Sequence, residues 1–242
     1  MKLKIITINV WRYYEWEKRK QKLINFLKKE NADVVLFQEV ASSEKSIWDN
    51  QIAEINEELN YPYFAFEKLV KMTKWHEEPI DYKMYYGFGI LSKYKIKEKK
   101  LVKLKHVLKE KDFGFMHCVI EINNKDFNFL NVHLENTDEG PRKQLKEILE
   151  FCKKKNIFPI IAGDFNMKNT ETLKELAGKN YEISYFVKPY FSFMPTEFSN
   201  NKEPITLDYI IVDKNKFKIE EVKCIKDSPS DHRPIVATIE RV

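Results

Sequence analysis

A chain of 242 residues, at roughly 150 residues per domain, has room for a real core in one or two domains, which excludes a peptide-sized module. Hydrophobic residues make up 43% and charged residues 33%, so the disordered and fibrous classes are excluded as well, and no apolar run approaches the roughly 18 residues of a membrane helix. Lysine and arginine total 42 against 37 acids, a net charge of +5, but the lysines are spread along the whole chain, a pattern compatible with a phosphate-bearing partner that does not identify one.

Three cysteines, Cys118, Cys152 and Cys224, have no paired spacing, which argues against a disulfide framework or a zinc knuckle and for a reducing compartment. The first ten residues carry too short an apolar stretch for a secretory signal and are read as a strand. The expectation from these features is a cytoplasmic protein without a membrane span, folded as one domain over residues 1–242 and monomeric.

In chain order, residues 3–10 form an apolar β-branched run and Asp33 to Phe37 a second one. Between them Trp16, Leu23, Ile24 and Leu27 fall at helical spacing, which predicts strand, helix, strand. Trp48, Ile52, Ile55 and Leu59 predict a second helix that stops before Tyr61-Pro62. Strand-like pieces follow at 87–91, 99–104, 114–122 and 127–134, with Asn123-Asn124 as a hairpin turn. Pro141 suits a first helical turn, and Leu145, Ile148, Leu149 and Cys152 stripe a third helix. A buried strand at 157–162, a short helix near 170–178, and strands near 181–186, 206–212, 217–224 and 235–239 complete the pattern. Many short strands with few helices predict two packed sheets with helices outside.

The informative polar residues fall where these strands end, so a rigid scaffold could gather them at one rim. Asn9 ends the first strand, Glu39 the second, and His133 a middle one. Gly163-Asp164-Phe165-Asn166 ends the buried strand, Asp208 lies in Leu207-Asp208-Tyr209-Ile210, and Ser230-Asp231-His232-Arg233-Pro234 precedes the last strand. Singly, an Asn9 or Asp208 beside apolar residues is more often a cap, and a lone His133 more often a hydrogen-bonded core histidine. The ordered set at successive strand ends is not explained that way.

From Thr7-Ile8-Asn9 to Asp231-His232 the sequence resembles the endonuclease/exonuclease/phosphatase superfamily of metal-dependent phosphoesterases, related to DNase I. The resemblance implies an α/β fold, a four-layer α/β sandwich of two packed, mainly antiparallel sheets flanked by helices, with the site at one end of the sheets. It implies Glu39 as the principal metal ligand, with Asn9 positioning metal and phosphate and Asp231 a second acid near the metal. Asp164 and Asn166 resemble the pair that orients water and holds a phosphate oxygen, His232 with Asp208 resembles an acid–histidine dyad, and His133 matches the histidine of the DNase-like and deadenylase-like branches.

The chemistry suits these residue types. A phosphodiester repels hydroxide, so hydrolysis gains from a hard cation on a non-bridging oxygen, a carboxylate to position water, and donors for developing charge. Magnesium, with manganese as an alternative, fits an oxygen-rich ligand set, whereas zinc would want more histidine or cysteine. Asp208 would orient the His232 ring and favour its protonated form, and Asp164 and His232 are alternatives for the general base.

Two subfamilies fit less well. The stretch Asn131 to Asn136 lacks the tyrosine and Pro-Asn pair of abasic-site endonucleases, and the Trp-Cys-Asp-Arg core of inositol-polyphosphate phosphatases is absent. His133-Leu134-Glu135 with Arg142 and Gln144 is closer to tyrosyl-DNA phosphodiesterases and DNase-like enzymes. Trp11, Tyr13 and Trp75 are candidates to stack on bases or an aromatic leaving group, Arg12 and Arg142 to contact phosphate, and Tyr86, among the aromatics of the rim, to bind substrate. Lys71, Lys74 and Lys168 are the lysines expected beside the site. His76-Glu77-Glu78 lacks the second histidine of a zinc-protease helix, and Pro79 breaks the helix that motif needs. The leading expectation is magnesium-dependent phosphodiester hydrolysis in nucleic acid. The alternatives are a phosphoesterase for a small or lipid-like phosphoester and a non-catalytic nucleic-acid-binding module.

Overall fold

The computed structural model describes residues 1–105, 112–197 and 202–242. Strand β1 (Lys2–Asn9) leads through α1 (Trp16–Glu30) into β2 (Val34–Ser43), followed by α2 (Gln51–Leu59), β3 (Tyr63–Trp75) and β4 (Glu78–Ser92). Then come β5 (Lys95–Leu104), β6 (Phe113–Ile122), β7 (Lys125–His133), α3 (Gly140–Lys155), β8 (Pro159–Asp164) and α4 (Thr170–Ala177). The chain ends with β9 (Tyr181–Ile183), α5 (Ser184–Val187), β10 (Asp208–Asp213), β11 (Phe217–Cys224) and β12 (Ile235–Arg241).

Two six-stranded sheets result, ordered β11-β12-β1-β2-β4-β3 and β5-β6-β7-β8-β10-β9. Each is antiparallel except for one central parallel pair, β1 with β2 and β7 with β8. Strand alternation decides what each face meets. In β1, Leu3 and Ile5 point between the sheets, where they join Phe127, Phe129, Ile160, Ala162 and Ile210. Ile6 and Ile8 point the other way, onto Leu23, Ile24 and Leu27 of α1 and Ile52 and Ile55 of α2. Leu130 and Val132 of β7 likewise meet Leu145, Ile148 and Cys152 of α3. Helices, sheet, sheet and helices therefore stack as a four-layer α/β sandwich, as the sequence predicts.

The α1 stripe is as expected, with Trp16, Leu23, Ile24 and Leu27 all buried. Asn123 and Asn124 both take positive φ, 50° and 59°, and close the β6–β7 hairpin, as a primed turn requires. Three expectations need correction. Trp48 lies outside α2, because Asn50 caps the helix by accepting from the Ala53 amide. The strand predicted at 87–91 is much longer and has a partner that sequence reasoning did not name: β3 and β4 pair from Tyr63–Ser92 out to Trp75–Glu78, and His76 and Glu77, both at positive φ, form the tip. Finally, β9 stops at Ile183 and the chain turns into α5, because the Ser184 hydroxyl accepts from the Ile210 amide and ties the chain to β10. Among the described residues no helix is long and apolar enough to cross a membrane.

Candidate active site

Alternation carries the site residues to one rim. Asn9 continues the Leu3–Ile5–Thr7 face of β1, His133 the Phe127–Phe129–Asn131 face of β7, and Asp164 the Ile160–Ala162 face of β8. Asp208 opens β10, which runs antiparallel to β8 with Asp208 opposite Asp164. All four therefore stand at the mouth of the cleft between the sheets.

Glu39 breaks the rule, and the sequence expectation about it needs correction. It does not end β2, which runs on to Ser43, and strict alternation would point it with Phe37 toward the helices. Between the Phe37–Gly89 and Val40–Gly87 pairings, Gln38 and Glu39 together oppose the single residue Phe88. This bulge gives Glu39 a φ of 52° and turns it to the same rim as Gln38. A non-glycine residue held in the left-handed region is strained backbone of the kind found at functional sites.

The side chains converge tightly. Asn9 Nδ2 donates to Asp164 Oδ2 at 3.2 Å. His133 Nε2 lies 3.7 Å from Asp164 Oδ2 and 3.9 Å from Glu39 Oε1, and His232 Nε2 lies 3.8 Å from Asp164 Oδ2. On its other side the His232 ring meets Asp208, with Nδ1 2.8 Å from Oδ2. The Asn166 amide donates to Asp164 Oδ1 at 2.9 Å while its side chain donates to the Leu134 carbonyl at 2.7 Å. Arg12 Nε stands 2.8 Å from Glu39 Oε2, but the pair is not aligned as a hydrogen bond, so neither buried atom has a directional partner among the described residues. Asp231 accepts from the Ser230 hydroxyl at 3.0 Å.

The electrostatics follow from burial and neighbours. Burial pushes the Asp164 carboxyl up to about 6, against the pull of His232, and Asp208 adds to the rise. Asp231 is raised by burial too. Burial alone would depress His232, yet the carboxylates of Asp208 and Asp164 outweigh it and hold the ring well above the ordinary imidazole value. Glu39 goes the other way: burial opposes ionisation, but Arg12, His133 and His232 together keep its carboxyl below the usual range.

Of the other candidates, Arg12, Trp11 and Tyr86 join the site and Arg142 does not. Arg12 lies 5.4 Å from the centroids of both Tyr14 and Tyr86, and the Trp11 amide donates to Asn9 Oδ1 at 3.0 Å. Arg142 stands exposed on the first turn of α3, facing solvent, with no hydrogen bond or ion pair to the cluster among the described residues. Tyr14 forms a wall next to Arg12, stacked on Trp11 at 5.1 Å and meeting Trp75 at 4.8 Å and His76 at 4.9 Å between ring centroids.

Sequence reasoning missed two supports. Arg19 donates to the carbonyls of Tyr14, Val10 and Pro229 and so pins the loop that carries Trp11 and Arg12 to the loop before Asp231. Beneath the cluster Gln38 Nε2 donates to Asn131 Oδ1 at 2.7 Å and to the Thr7 hydroxyl at 3.0 Å, while Asn131 donates to the Phe37 and Gly89 carbonyls. These buried amides lock one sheet to the other directly below the site. Their signal is in the sequence: Thr7 and Asn131 each precede a site residue by two, on the same strand face.

Residues 6–232 match the Endonuclease/Exonuclease/phosphatase family. The sequence is 30% identical over 238 residues to a phospholipase C of Staphylococcus aureus, across 83% of this chain and 69% of that protein. The fold aligns with an endonuclease/exonuclease/phosphatase family protein of Leptotrichia buccalis at a TM-score of 0.76 and 22% identity, over 98% of this chain and 99% of that one. It aligns with sphingomyelinase C of Streptomyces griseocarneus at 0.70 and 19% identity, over 98% and 99%. The two sheets and their rim define a phosphoesterase-type sandwich. The chain belongs to the endonuclease/exonuclease/phosphatase family of hydrolases.

Proposed function

We propose that the protein is a divalent-metal-dependent phosphodiesterase. The observation that carries this reading is the convergence of Glu39, Asp164, His133 and His232 within 4 Å contacts at the mouth of the cleft. The residues present fit a hard cation, because Glu39 Oε2 is a buried carboxylate oxygen without a directional partner and its carboxyl stays ionised. Asp164, Asp208 and His232 also bring ligand atoms within 4.8 Å of one another. That trio is the weaker seat, because Asp208 engages Nδ1 and the ring favours the protonated state, in which neither nitrogen can bind a metal.

Glu39, with Asn9 and Asp231 near it, would hold magnesium or manganese. The bound ion would polarise a non-bridging phosphate oxygen and lower the pKa of attached water. The chain's own groups do the rest. Protonated His232 faces the phosphate and donates to oxygens on which charge builds, with the His133 ring beside it. Asp208 is the positioning residue that fixes the His232 ring. Asp164, aligned by the Asn9 amide and the Asn166 backbone, holds the attacking water and accepts its proton once ionised. The Asn166 side-chain amide, locked by the Leu134 carbonyl, keeps its oxygen side for the substrate shell.

The substrate reading favoured by the aromatic wall is a nucleic-acid strand, with a base against Trp11, Tyr14 or Trp75 while Arg12 and Tyr86 line the phosphate approach. The likeness to a phospholipase C supports a second reading, a phospholipid diester whose headgroup or acyl region meets the same wall. Single- and double-stranded DNA, RNA, phosphatidylcholine and sphingomyelin vesicles and bis-nitrophenyl phosphate, each with Mg²⁺, Mn²⁺ and EDTA, separate the two. Cleavage of a nucleic acid in Mg²⁺ and not in EDTA is the expected result. Turnover of vesicles alone selects the lipid reading, and tight nucleic-acid binding in EDTA with no turnover of any diester defeats both.

A further inference from the structure

Next to the start of β10, which carries Asp208, and to Arg233, which follows His232, lies a cavity of about 670 Å³. That volume is in the range of sites for nucleotide-sized ligands, and none of the active-site residues described above lines it. Its walls are aromatic: Tyr185 and Tyr190 meet edge to face at 5.8 Å, and the Phe191 ring is 57% exposed. Its rim is cationic, with Lys188, Lys223, Lys226 and Arg233 and no carboxylate among the described residues. Lys223 is paired with Glu221 at 3.0 Å. Lys188 and Lys226 make no ion pair among the described residues, and Arg233, whose Nη1 donates to the Phe191 carbonyl at 3.4 Å, makes none either, its buried Nε lacking a hydrogen-bond partner among them.

These features favour an anionic occupant. An exposed phenylalanine among unpaired cations gains nothing from water, whereas a flat ring would cover it and a phosphate would neutralise Lys188, Lys226 and Arg233 together. Three uncompensated cations suit the dianion of a phosphomonoester better than a single carboxylate. We infer that this cavity is a second binding site, for a phosphomonoester that carries a planar aromatic body, of which a nucleoside monophosphate is the simplest form. It goes beyond the phosphodiesterase reading and does not depend on it. The site is wired to the reaction centre: the Tyr190 hydroxyl donates to the Asp208 carbonyl at 3.0 Å, and Arg233 follows His232 directly. An occupant therefore bears on the segment that positions the dyad.

Cys224, in the cavity wall, is a slow but local reporter: burial pushes its thiol up to about 11 and its Sγ donates to the Phe191 carbonyl at 3.3 Å, so its labelling is followed by mass spectrometry of its own peptide. It is half-buried, whereas Cys118 and Cys152 are buried. The test uses the full chain in EDTA, so that no cation draws phosphate to Glu39, with AMP as probe. Calorimetry is expected to show one AMP per chain, and AMP is expected to slow maleimide labelling of Cys224 at mildly alkaline pH. The double variant Lys188→Glu/Lys226→Glu, which changes exposed side chains, should weaken AMP at least tenfold, and Lys188→Gln/Lys226→Gln should weaken it less. Both should keep the wild-type melting temperature and diester turnover, and Glu39→Ala should bind AMP as the wild type does. The inference is overturned if charge reversal leaves AMP affinity unchanged, if Glu39→Ala abolishes binding, or if Cys224 labelling ignores AMP. It is equally overturned if inorganic phosphate or laurate binds as tightly as AMP. Because binding is read in EDTA, loss of the phosphodiesterase reading would leave this result standing, and the reverse also holds.

Discussion

The units β1–α1–β2 and β7–α3–β8 repeat one design, a parallel pair at the centre of its own sheet joined by a helix outside. Each delivers two side chains to the rim, Asn9 with Glu39 and His133 with Asp164. They differ in how the second strand is broken and in what balances its acid. In β2 the break is a bulge, and Glu39 emerges 17% exposed beside Arg12. In β8 the break is Gly163 at φ 146° followed by Asn166 at 49°, and Asp164 is 3% exposed, its charge partners among the described residues being His133 and His232. The same scaffold thus makes one carboxylate that stays ionised and one that takes up a proton near neutral pH. A permanent charge suits a cation's seat, and a titrating one suits proton transfer.

The largest effect should come from removing either acid. Glu39→Gln and Asp164→Asn are each expected to lower kcat/KM by roughly 10²–10³-fold or more. Calorimetry with Mn²⁺ should tell them apart: Glu39→Gln loses binding, while Asp164→Asn keeps it. Equal loss of Mn²⁺ affinity in both would erase the distinction between the halves. Gly163→Ala attacks the β8 break through stability, because a Cβ there would lie 2.0 Å from the Val132 carbonyl oxygen. Thermal melts should show a cost of about 1–3 kcal/mol from the backbone conformation, and a wild-type melt would mean the strand can be rebuilt without the glycine.

Asp208→Asn should cost roughly 10–100-fold, as loss of a partner that orients a site residue commonly does. Its sharper signature is titration. A raised histidine contributes stability that is complete below 6.5 and is lost as pH rises through the folded-state value. Without the Asp208 charge that value falls, so in metal-free protein the His232 ring signal by NMR should titrate at lower pH, and the stability loss, which still begins near 6.5, should be smaller and finish at lower pH. Asp164, which Asp208 also raises, should move down with it. An unmoved His232 titration would remove Asp208 from its positioning role.

How much of this was legible in sequence follows from what alternation and spacing can encode. Trp16, Leu23, Ile24 and Leu27 mark α1 because a buried helix face must repeat at 3.6 residues, and the four-layer order follows once the strands between such helices are found. Asn9, His133 and Asp164 were visible as polar ends of apolar strands. The bulge at Glu39 was not, because alternation gives no sign of two residues opposing one, and the residue looked like a strand end. Arg19 looked like one more charge on a helix, since its role is to bond carbonyls from loops up to 210 positions away. Arg142 looked suitable by sequence proximity, and only the helix orientation sends it to solvent.

The smallest effect tests what lies beside the first unit alone. Trp75 belongs to the tip of the β3–β4 hairpin and touches the β1–α1 loop through Tyr14, so this wall stands on the Glu39 side. If a substrate ring stacks there, Trp75→Ala should cost at most about 1–3 kcal/mol, as a rise in KM at unchanged kcat, because stacking acts equally on bound substrate and transition state. The melting temperature should hardly move, since the side chain is half-exposed at a hairpin end. A diester with a small aliphatic leaving group should be cleaved equally well by variant and wild type, which isolates the wall from the chemistry. A fall in kcat with both substrates would instead mean that Trp75 acts through Tyr14 on Arg12 and Glu39, and that the wall is part of the cation's seat instead of a platform for the substrate.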